Sequence, residues 1–300
     1  MRRLYLLALP LLAAASTFAQ QDFSGVEVKA TKVAGSVYML TGAGGNIGVS
    51  VGNDGVVIVD DQYAPLAPKI EAALKSITDR PIRFIINTHY HGDHTGGNEH
   101  FGRSAPIVAH ENVRKRLASG VTRRGTVVPP APAGALPVVT FNDTLTIHLN
   151  GEDVRAVHMP HGHTDGDSVI WFTGSNVVHM GDDFFNDRFP FVDTEHGGSV
   201  RGLIANIEKV LALVPDDAKI IPGHGALSDK TGLRRYLDTL RNTLATVERG
   251  VAAGKSLEQL KAEKVLAQWD AWGQGFVKND MWIDTLHAEA TKPRTRERKH

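Results

Sequence analysis

Apolar residues between positions 26 and 60 either alternate with polar ones or form short unbroken runs, a pattern typical of β-strands. Four such segments are separated by glycine-containing turns, and we expect strands over residues 26–33, 37–41, 47–51 and 56–59. The fourth segment is apolar throughout and ends in Asp60 and Asp61, as in strands that are buried on both faces. Residues 65–78 then carry apolar side chains at helical spacing, which predicts the first helix.

The remainder of the chain alternates between predicted strands and predicted helices. Further strands are expected over residues 82–87, 107–109, 138–149, 154–159, 168–172, 177–180 and 219–221. Helices are expected over residues 110–119, 200–213 and everything after 228, and a Pro-rich loop, a candidate flap, over 125–137. Two packed sheets with helices outside would bury the apolar strand faces, and no low-complexity linker divides the chain. We therefore predict one α+β domain over residues 20–290.

The first nineteen residues have the features of a bacterial secretory signal. Arg2 and Arg3 precede an apolar run, and small residues at positions 17 and 19 predict cleavage after Ala19. The run is shorter than the roughly 20 apolar residues that span a bilayer, and no cysteine is present to carry a lipid anchor. We expect residues 1–19 to be removed and the mature protein to be periplasmic or secreted, without a membrane anchor; the alternative is a buried N-terminal helix.

Charge and cysteine content narrow the classes of function. The chain has 33 basic and 33 acidic residues, so its overall charge does not favour nucleic acid as a partner. The absence of cysteine excludes disulfides, thiolate metal ligands and cysteine nucleophiles together. Residues 291–300 form a basic tail, to which we assign no function.

Three histidines and one aspartate lie within six residues, directly after a predicted strand. His89 and His91 are two positions apart, so both imidazoles point the same way on an extended segment. Gly92 permits a sharp turn that brings Asp93 and His94 round behind them. Imidazole and carboxylate are ligands that Zn²⁺ accepts, so this segment could face two metal ions. The alternative is a polar turn whose histidines cap the next helix, but clustered histidines at a strand end have little structural reason.

Three later segments repeat the arrangement of a strand end, a glycine and a potential metal ligand. They contain His161 and His163, then Asp182 and Asp183, and finally His224. Loops beyond strand ends are where metal sites are generally assembled. A lone histidine in such a loop is more often a surface or core residue, but four such segments in one chain predict a metal centre.

Taken in order, these motifs resemble those of the metallo-β-lactamase superfamily. His-x-His-x-Asp-His followed by Gly-Gly, then Gly-His-Thr, strand-Gly-Asp and Pro-Gly-His-Gly, extend the resemblance from about residue 30 to 228. It implies a four-layer αββα sandwich with a dinuclear metal site between the sheet edges. It also implies the ligands: His89, His91 and His163 for the first metal, Asp93, His94 and His224 for the second, and Asp182 between the two.

Two of these positions have competitors close by in the sequence. His161 lies two residues before His163, but the Gly-His-Thr match favours His163 over both His161 and the strand residue His158. Asp183 directly follows Asp182, and the Gly-Asp match favours Asp182. The other histidines are interpreted as surface or hydrogen-bonded residues: His100, His110, His148, His179, His196 and His287.

The resemblance implies a hydrolase that holds two Zn²⁺ per chain and acts on a small-molecule substrate. In this chemistry a water between two cations becomes a nucleophile near pH 7 and attacks a carbonyl carbon. Asp93 would bind metal and also orient the attacking water, which makes it the candidate catalytic residue. The choice between zinc and iron stays open, because histidine and carboxylate ligands suit both metals.

The superfamily includes β-lactamases, lactonases, thioesterases, phosphodiesterases, nucleases and dioxygenases, and the expected export favours small cyclic amides or esters. β-Lactams are the first expectation and lactones the second; a metal-binding protein without hydrolase activity, or an iron redox protein, is the alternative. Secreted β-lactamases usually carry Cys or Ser where Asp182 stands, and many carry Lys where Phe185 stands. In having an aspartate at the bridging position, the chain is more similar to lactonases and thioesterases than to secreted β-lactamases.

Three further segments complete the sequence-based picture. In the aromatic-rich loop 184–191, Arg188 is either a ligand for a substrate carboxylate or a surface charge, and the aromatics are either pocket wall or core. Residues 41–46 are rich in glycine but lack the Gly-Lys-Ser/Thr of a P-loop, so they predict a hairpin turn at the rim of the site. The C-terminal helical region, with Trp269, Trp272, Trp282 and Leu286, is expected to pack against the rest of the domain.

Overall fold

The structure is a computed structural model that describes residues 22–292 of the chain. The predicted signal at residues 1–19 and nearly all of the basic tail at 291–300 lie outside the described residues. The strands in the described part are β1 (Lys29–Ala34), β2 (Val37–Thr41), β3 (Ile47–Gly52), β4 (Gly55–Val59), β5 (Ile82–Ile86), β6 (Ile107–His110), β7 (Val121–Arg123), β8 (Thr126–Val128), β9 (Val139–Phe141), β10 (Thr144–Leu149), β11 (Glu152–His158), β12 (Ser168–Phe172), β13 (Val177–His179), β14 (Lys219–Ile221) and β15 (Ser228–Asp229).

The helices lie between and after these strands. They are α1 (Ala67–Lys75), α2 (Gly92–Thr95), α3 (Asn98–Phe101), α4 (Glu111–Ser119), α5 (Val200–Leu213), α6 (Lys230–Ala252), α7 (Leu257–Ala262) and α8 (Asn279–Thr291). Short 3-10 segments add turns at Ala64–Leu66, Ala133–Ala135, Gly181–Asp183, Thr194–His196 and Ala267–Gln274. Among the described helices, none combines the length and the apolar character needed to cross a membrane.

Two mixed sheets form the centre of the domain. The first has seven strands in the order β1-β2-β3-β4-β5-β6-β9, antiparallel up to β4 and parallel from β4 onward. The second has six strands in the order β10-β11-β12-β13-β14-β15, with one parallel pair, β13 and β14. Strands β7 and β8 form a separate two-stranded hairpin.

The two sheets pack face to face, and helices cover their outer faces. Val57 and Ile86 of the first sheet meet Phe172 of the second in a core between the sheets. Because side chains alternate along a strand, the neighbouring Ile58 points the other way and packs against Ile70 of α1. A third core lies between the outer face of the second sheet and helices α5, α6 and α8. The predicted four-layer αββα sandwich is confirmed.

The clearest differences from the prediction lie in residues 125–137 and 138–149. The Pro-rich segment was expected to be a loop over 125–137, but Thr126–Val128 pairs with Val121–Arg123 as the β7–β8 hairpin. The tight turn between them is made by Arg124 and Gly125, both at positive φ. Residues 138–149 do not form one strand, because β9 pairs with β6 in the first sheet and β10 pairs with β11 in the second. Only tertiary pairing partners, not local periodicity, decide where such an apolar run divides.

Candidate metal centre

The seven side chains assigned as metal ligands meet at one edge of the sandwich, in loops that follow four strands. The loop after β5 carries four of them, beginning with His89, and the loop after β11 carries His163. The turn after β13 carries Asp182, and the loop after β14 carries His224. Strands β13 and β14 run parallel, so their carboxyl ends bring Asp182 and His224 to the same edge.

Four of the seven side chains form a first, buried group: His89, His91, His163 and Asp182. His91 Nδ1 lies 3.1 Å from His89 Nε2 and 2.8 Å from His163 Nε2. Asp182 Oδ2 closes the group, 3.4 Å from His163 Nε2 and 3.8 Å from His89 Nε2. The four ligand atoms therefore surround a volume the size of one ion.

Asp93, His94 and His224 form a second group directly beside the first. His224 Nε2 lies 3.3 Å from Asp93 Oδ2 and 3.4 Å from His94 Nε2. The other carboxylate oxygen of Asp182, Oδ1, faces this group, 3.1 Å from His94 Nε2 and 3.4 Å from His224 Nε2. Asp182 thus presents one oxygen to each group, as a residue shared by two ions would.

Hydrogen bonds on the outer side of the rings determine which nitrogens face the first group. His91 Nε2 donates to Asp193 Oδ2 at 2.9 Å, and His163 Nδ1 donates to the carbonyl oxygen of Phe191 at 2.6 Å. Both rings then present a nitrogen lone pair inward, His91 through Nδ1 and His163 through Nε2. The segment that contains Phe191 and Asp193 therefore orients two of the three histidines.

A second outer network is centred on Asp60, a fully buried residue at the end of β4. Its carboxylate accepts hydrogen bonds from the Thr88 hydroxyl at 2.8 Å and from His94 Nδ1 at 2.7 Å. Because the Thr88 hydroxyl donates to Asp60, it accepts at its oxygen from His89 Nδ1, 3.1 Å away. His89 and His94 therefore both turn Nε2 toward the ligand groups.

This arrangement fits divalent metal ions. Lone pairs of three rings meet at 2.8–3.1 Å in the first group, which is repulsive unless a cation lies between them. Asp182 Oδ1 is buried, and no donor among the described residues is aligned to form a hydrogen bond with it. Imidazole nitrogens and carboxylate oxygens, each oriented by an outer partner, are the donor set of zinc sites.

The pKa directions agree with this role. Burial lowers the pKa of His89 well below its ordinary value and that of His91 to about 4, so both rings are neutral at pH 7. Burial alone would raise the pKa of Asp182, but the nearby His224 and His94 hold it well below the usual range. Burial opposes the charged form of His224 too, yet Asp182 and Asp93 raise its pKa to about 9. In the second group a metal ion would therefore replace a proton.

Two glycines permit the backbone to approach the ligands closely. A Cβ on Gly45 would lie 2.1 Å from His94 Cε1, and a Cβ on Gly223 would lie 2.1 Å from Asp182 Oδ1. Gly45 belongs to the glycine-rich turn between β2 and β3, and the neighbouring Gly44 lines the cavity described below. The prediction of a hairpin turn at the rim of the site is confirmed.

The second ligand group opens into a cavity of about 410 Å³. Its aromatic walls are Tyr63, Phe185, Phe189, Phe191 and Phe276. Three arginines, Arg123, Arg124 and Arg188, line it as well. The aromatic loop thus divides between the two roles left open by the sequence, since Phe185, Phe189 and Phe191 reach the cavity while Phe184 is buried in the core. A pocket that combines apolar walls with polar groups able to orient a ligand is typical of a small-molecule site.

The neighbouring candidates lie elsewhere. His161 is exposed and its ring contacts the carbonyl oxygen of Gly197, while His158 stacks on His110 with ring centroids 3.7 Å apart. Asp183 is buried but accepts hydrogen bonds from the backbone N–H of His163 and from Asn206. The structure places none of these in either ligand group.

Sequence reasoning missed the outer partners. The sequence marks Asp60 only as the end of a strand, and Asp193 carries no recognisable signal. Asp193 is buried and accepts hydrogen bonds from the Tyr90 hydroxyl, His91 and His196. Because Asp193 is far from His91 along the chain, only folding brings the two residues together, and sequence spacing cannot reveal their contact. The pattern of an aspartate directly after a fully apolar strand could have singled out Asp60.

Replacing Asp193 by asparagine is expected to weaken zinc binding by about 10- to 100-fold, because His91 loses the carboxylate that orients its ring. Competition with a chromophoric chelator measures the affinity. The matched control is Asp238→Asn, an exposed position on α6, which should leave the affinity unchanged. Equal zinc affinity in Asp193→Asn and wild type would show that the contact is incidental.

A four-layer αββα sandwich that gathers histidines and aspartates from the loops after four strands defines a class of metal-dependent proteins. Residues 40–224 match the family model of the metallo-beta-lactamase superfamily. The chain belongs to this superfamily, as its motifs suggested, and most members of the superfamily are metallo-hydrolases.

Individual relatives differ in what they act on. The chain is 30% identical over 155 residues to a hydroxyacylglutathione hydrolase of Nitrosococcus oceani, covering 50% of this chain and 51% of that protein. It is 22% identical over 184 residues to a metallo-beta-lactamase type 2 of Bacteroides fragilis, covering 58% and 70%. The chain thus spans about half the length of the first of these relatives.

Solved structures share the fold. A metallo-beta-lactamase from Pontibacter korlensis superposes with a TM-score of 0.61 at 19% identity, covering 72% of this chain and all of that one (100%). At this level of identity the likeness concerns the fold alone.

Proposed function

We propose that the protein is an exported dinuclear zinc hydrolase that opens small cyclic amides or esters, with β-lactams as the first substrate class. The observation that carries the proposal is Asp182, whose two carboxylate oxygens face two adjacent ligand groups at the wall of a cavity. The features of residues 1–19 support export.

The proposed chemistry assigns a task to each group of side chains. Zinc ions, when bound, supply Lewis acidity and lower the pKa of water to near 7. The three histidines of the first group and the three side chains of the second would hold these ions, and Asp182 has one carboxylate oxygen facing each group. Asp93 borders the cavity, and although burial opposes its charged form, His94 and His224 keep its pKa low. Its ionised carboxylate can accept a hydrogen bond from the attacking water and orient it.

Aromatic side chains keep bulk water from the reacting centre. Phe185 stacks on the His224 ring with centroids 5.1 Å apart and an interplanar angle of 21°. Phe191 lies against both His91 and His163, at 5.9 Å in each case. Exclusion of water strengthens the electrostatic interactions on which the reaction depends.

A second candidate, hydrolysis of lactones or thioesters, is favoured by one feature of the site. The bridging position holds Asp182, where secreted β-lactamases usually carry Cys or Ser. The name of the relative from Nitrosococcus oceani, a hydroxyacylglutathione hydrolase, points in the same direction.

A substrate panel on a metal-quantified sample tests the proposal. We expect about two zinc ions per chain, turnover of a chromogenic β-lactam, and complete loss of turnover with dipicolinate that zinc restores. Turnover of a lactone or thioester without turnover of the β-lactam would instead support the second candidate. Iron as the native metal, a single metal per chain, or no hydrolysis of any panel member would overturn the proposal.

A further inference from the structure

Two adjacent aspartates in the turn after β13 have different partners. Asp182 faces the two ligand groups, whereas the side chain of Asp183, which is 1% exposed, belongs to neither. Asp183 Oδ1 accepts a hydrogen bond from the backbone N–H of His163 at 3.1 Å, and its Oδ2 accepts one from the Asn206 amide at 3.2 Å. The proposed chemistry gives this buried carboxyl group no task, so its role has to be sought in what it holds together.

The contact between Asp183 and His163 joins two loops that no strand pairing aligns directly. His163 follows β11 and Asp182 follows β13, and β12 lies between these strands in the sheet. His163 Nε2 and Asp182 Oδ2 nevertheless lie 3.4 Å apart, within reach of a single ion. Because Asp183 is the chain neighbour of Asp182 and is hydrogen-bonded to His163, it fixes the separation of these two ligands.

The loop after β11 is shaped to receive Asp183. Gly162 has no room for a side chain, because a Cβ there would lie 2.2 Å from Asp183 Oδ1. On the other side of His163, the buried Asp167 accepts hydrogen bonds from the backbone N–H and from the hydroxyl of Thr164. The Gly-His-Thr motif therefore combines close approach to Asp183, a metal ligand and a bond that holds the turn of the loop.

The burial of Asp183 makes its hydrogen bonds important. A carboxyl group withdrawn from water costs free energy unless its oxygens find donors, and here the donors are the His163 N–H and the Asn206 amide. Removing the carboxyl group would leave both donors buried without this acceptor, and their desolvation would then be uncompensated. Asn206 belongs to α5, so Asp183 also ties the loop of His163 to a helix of the outer layer.

We propose that Asp183 is a positioning residue for the first ligand group, and that it holds His163 beside Asp182 through the backbone N–H of His163. The inference rests on the proposed metal centre but on no particular substrate. The hydrogen bonds from the Asp183 side chain lead to the loop after β11 and to α5 and not, within residues 22–292, to the loops that carry Asp93, His94 and His224. Loss of Asp183 should therefore weaken metal binding by the first group more than by the second.

Stepwise zinc binding, measured by competition with a chromophoric chelator, tests this role in Asp183→Ala. We expect the step that belongs to the first group to weaken by about 10- to 100-fold, the range found when an outer partner of a metal ligand is removed. His89→Ala, which removes a ligand of the first group, identifies that step. Asp183→Asn keeps the shape and an acceptor for the His163 N–H, so its affinity should stay within about threefold of wild type. Equal weakening of both steps, or of neither, in Asp183→Ala would overturn the inference.

Two further variants guard against a change in overall stability. Asn206→Ala removes the outer support of Asp183 but leaves its contact with His163, and should weaken the same step by about 3- to 10-fold, as one hydrogen bond is worth. Asp238→Ala, an exposed aspartate on α6, is the matched control and should leave both steps unchanged. If Asp183→Ala does not fold, Asn206→Ala decides, and an unchanged first-group step in that variant would contradict the positioning role.

Hydrogen exchange of the zinc-free protein separates this inference from the proposed function, because it needs neither metal nor turnover. In Asp183→Ala the backbone amides of residues 159–167 should exchange about 10-fold faster or more, since the His163 N–H has lost its acceptor. The amides of α6 should keep their wild-type rates. Faster exchange confined to residues 159–167 would support the positioning role even if no panel substrate is hydrolysed. Unchanged rates, or a uniform increase along the chain, would refute it.

Discussion

Asp182→Ala is expected to lower kcat/KM for hydrolysis by about 1,000-fold, because it removes the one side chain that both ligand groups share. Its Oδ2 lies 3.4 Å from His163 Nε2, and its Oδ1 lies 3.1 Å from His94 Nε2. Loss of several kcal/mol of charge stabilisation corresponds to a rate loss of this size. Steady-state kinetics and zinc content of the same sample measure the effect, and we expect fewer than two zinc ions per chain.

Two further variants make this prediction specific. Asp182→Asn keeps the shape of the side chain but removes its charge, so it should lose nearly as much activity as Asp182→Ala. Asp238→Ala, an exposed aspartate on α6, should leave both activity and zinc content unchanged. An Asp182→Ala protein with full zinc content and kcat/KM within threefold of wild type would contradict the shared-ligand assignment.

Trp282→Ala is expected to lower the free energy of unfolding by about 3–5 kcal/mol, the range found for buried aromatic residues. Trp282 is 0% exposed, and its indole N–H donates to the Thr243 hydroxyl at 3.1 Å. Its ring stacks on Phe189 with centroids 5.7 Å apart, and Phe189 lines the cavity. Urea unfolding, with and without chelator, measures the loss independently of metal binding.

Trp269 serves as the comparison for this effect. It lies in the same C-terminal region but is only partly buried, so Trp269→Ala should cost clearly less stability. Because Phe189 connects Trp282 to the cavity, Trp282→Ala should also raise KM, whereas Trp269→Ala should not. Equal losses of stability in the two variants would contradict the view that Trp282 anchors α8 to the body of the domain.

Much of the fold follows from local patterns that tertiary packing reinforces. The strand predicted at 56–59 is buried on both faces because Val57 faces the inter-sheet core and Ile58 faces α1. The helix predicted at 200–213 has the same bounds in the structure, with Ser199 as its N-cap. In such segments the apolar period and the surrounding contacts agree.

Other features depend on contacts that no local pattern records. The β7–β8 hairpin replaces part of a predicted loop. The guanidinium of Arg124 packs this hairpin against the rings of Phe191 and Phe276. Trp282 was expected to pack against the body, and the structure adds its specific partner, Phe189. These partners are far apart along the chain, so spacing could not have paired them.

What the sequence determined by itself was the chemistry at strand ends: histidines and aspartates placed beside glycines, in an order characteristic of one superfamily. The spacing of ligands within one loop is a local property, because it is fixed by the order of residues along the chain. The tertiary structure alone decided that Asp60 and Asp193 orient the rings and that three arginines share the cavity. These arrangements join segments from separate sheets and loops, and their geometry exists only once the two sheets have packed.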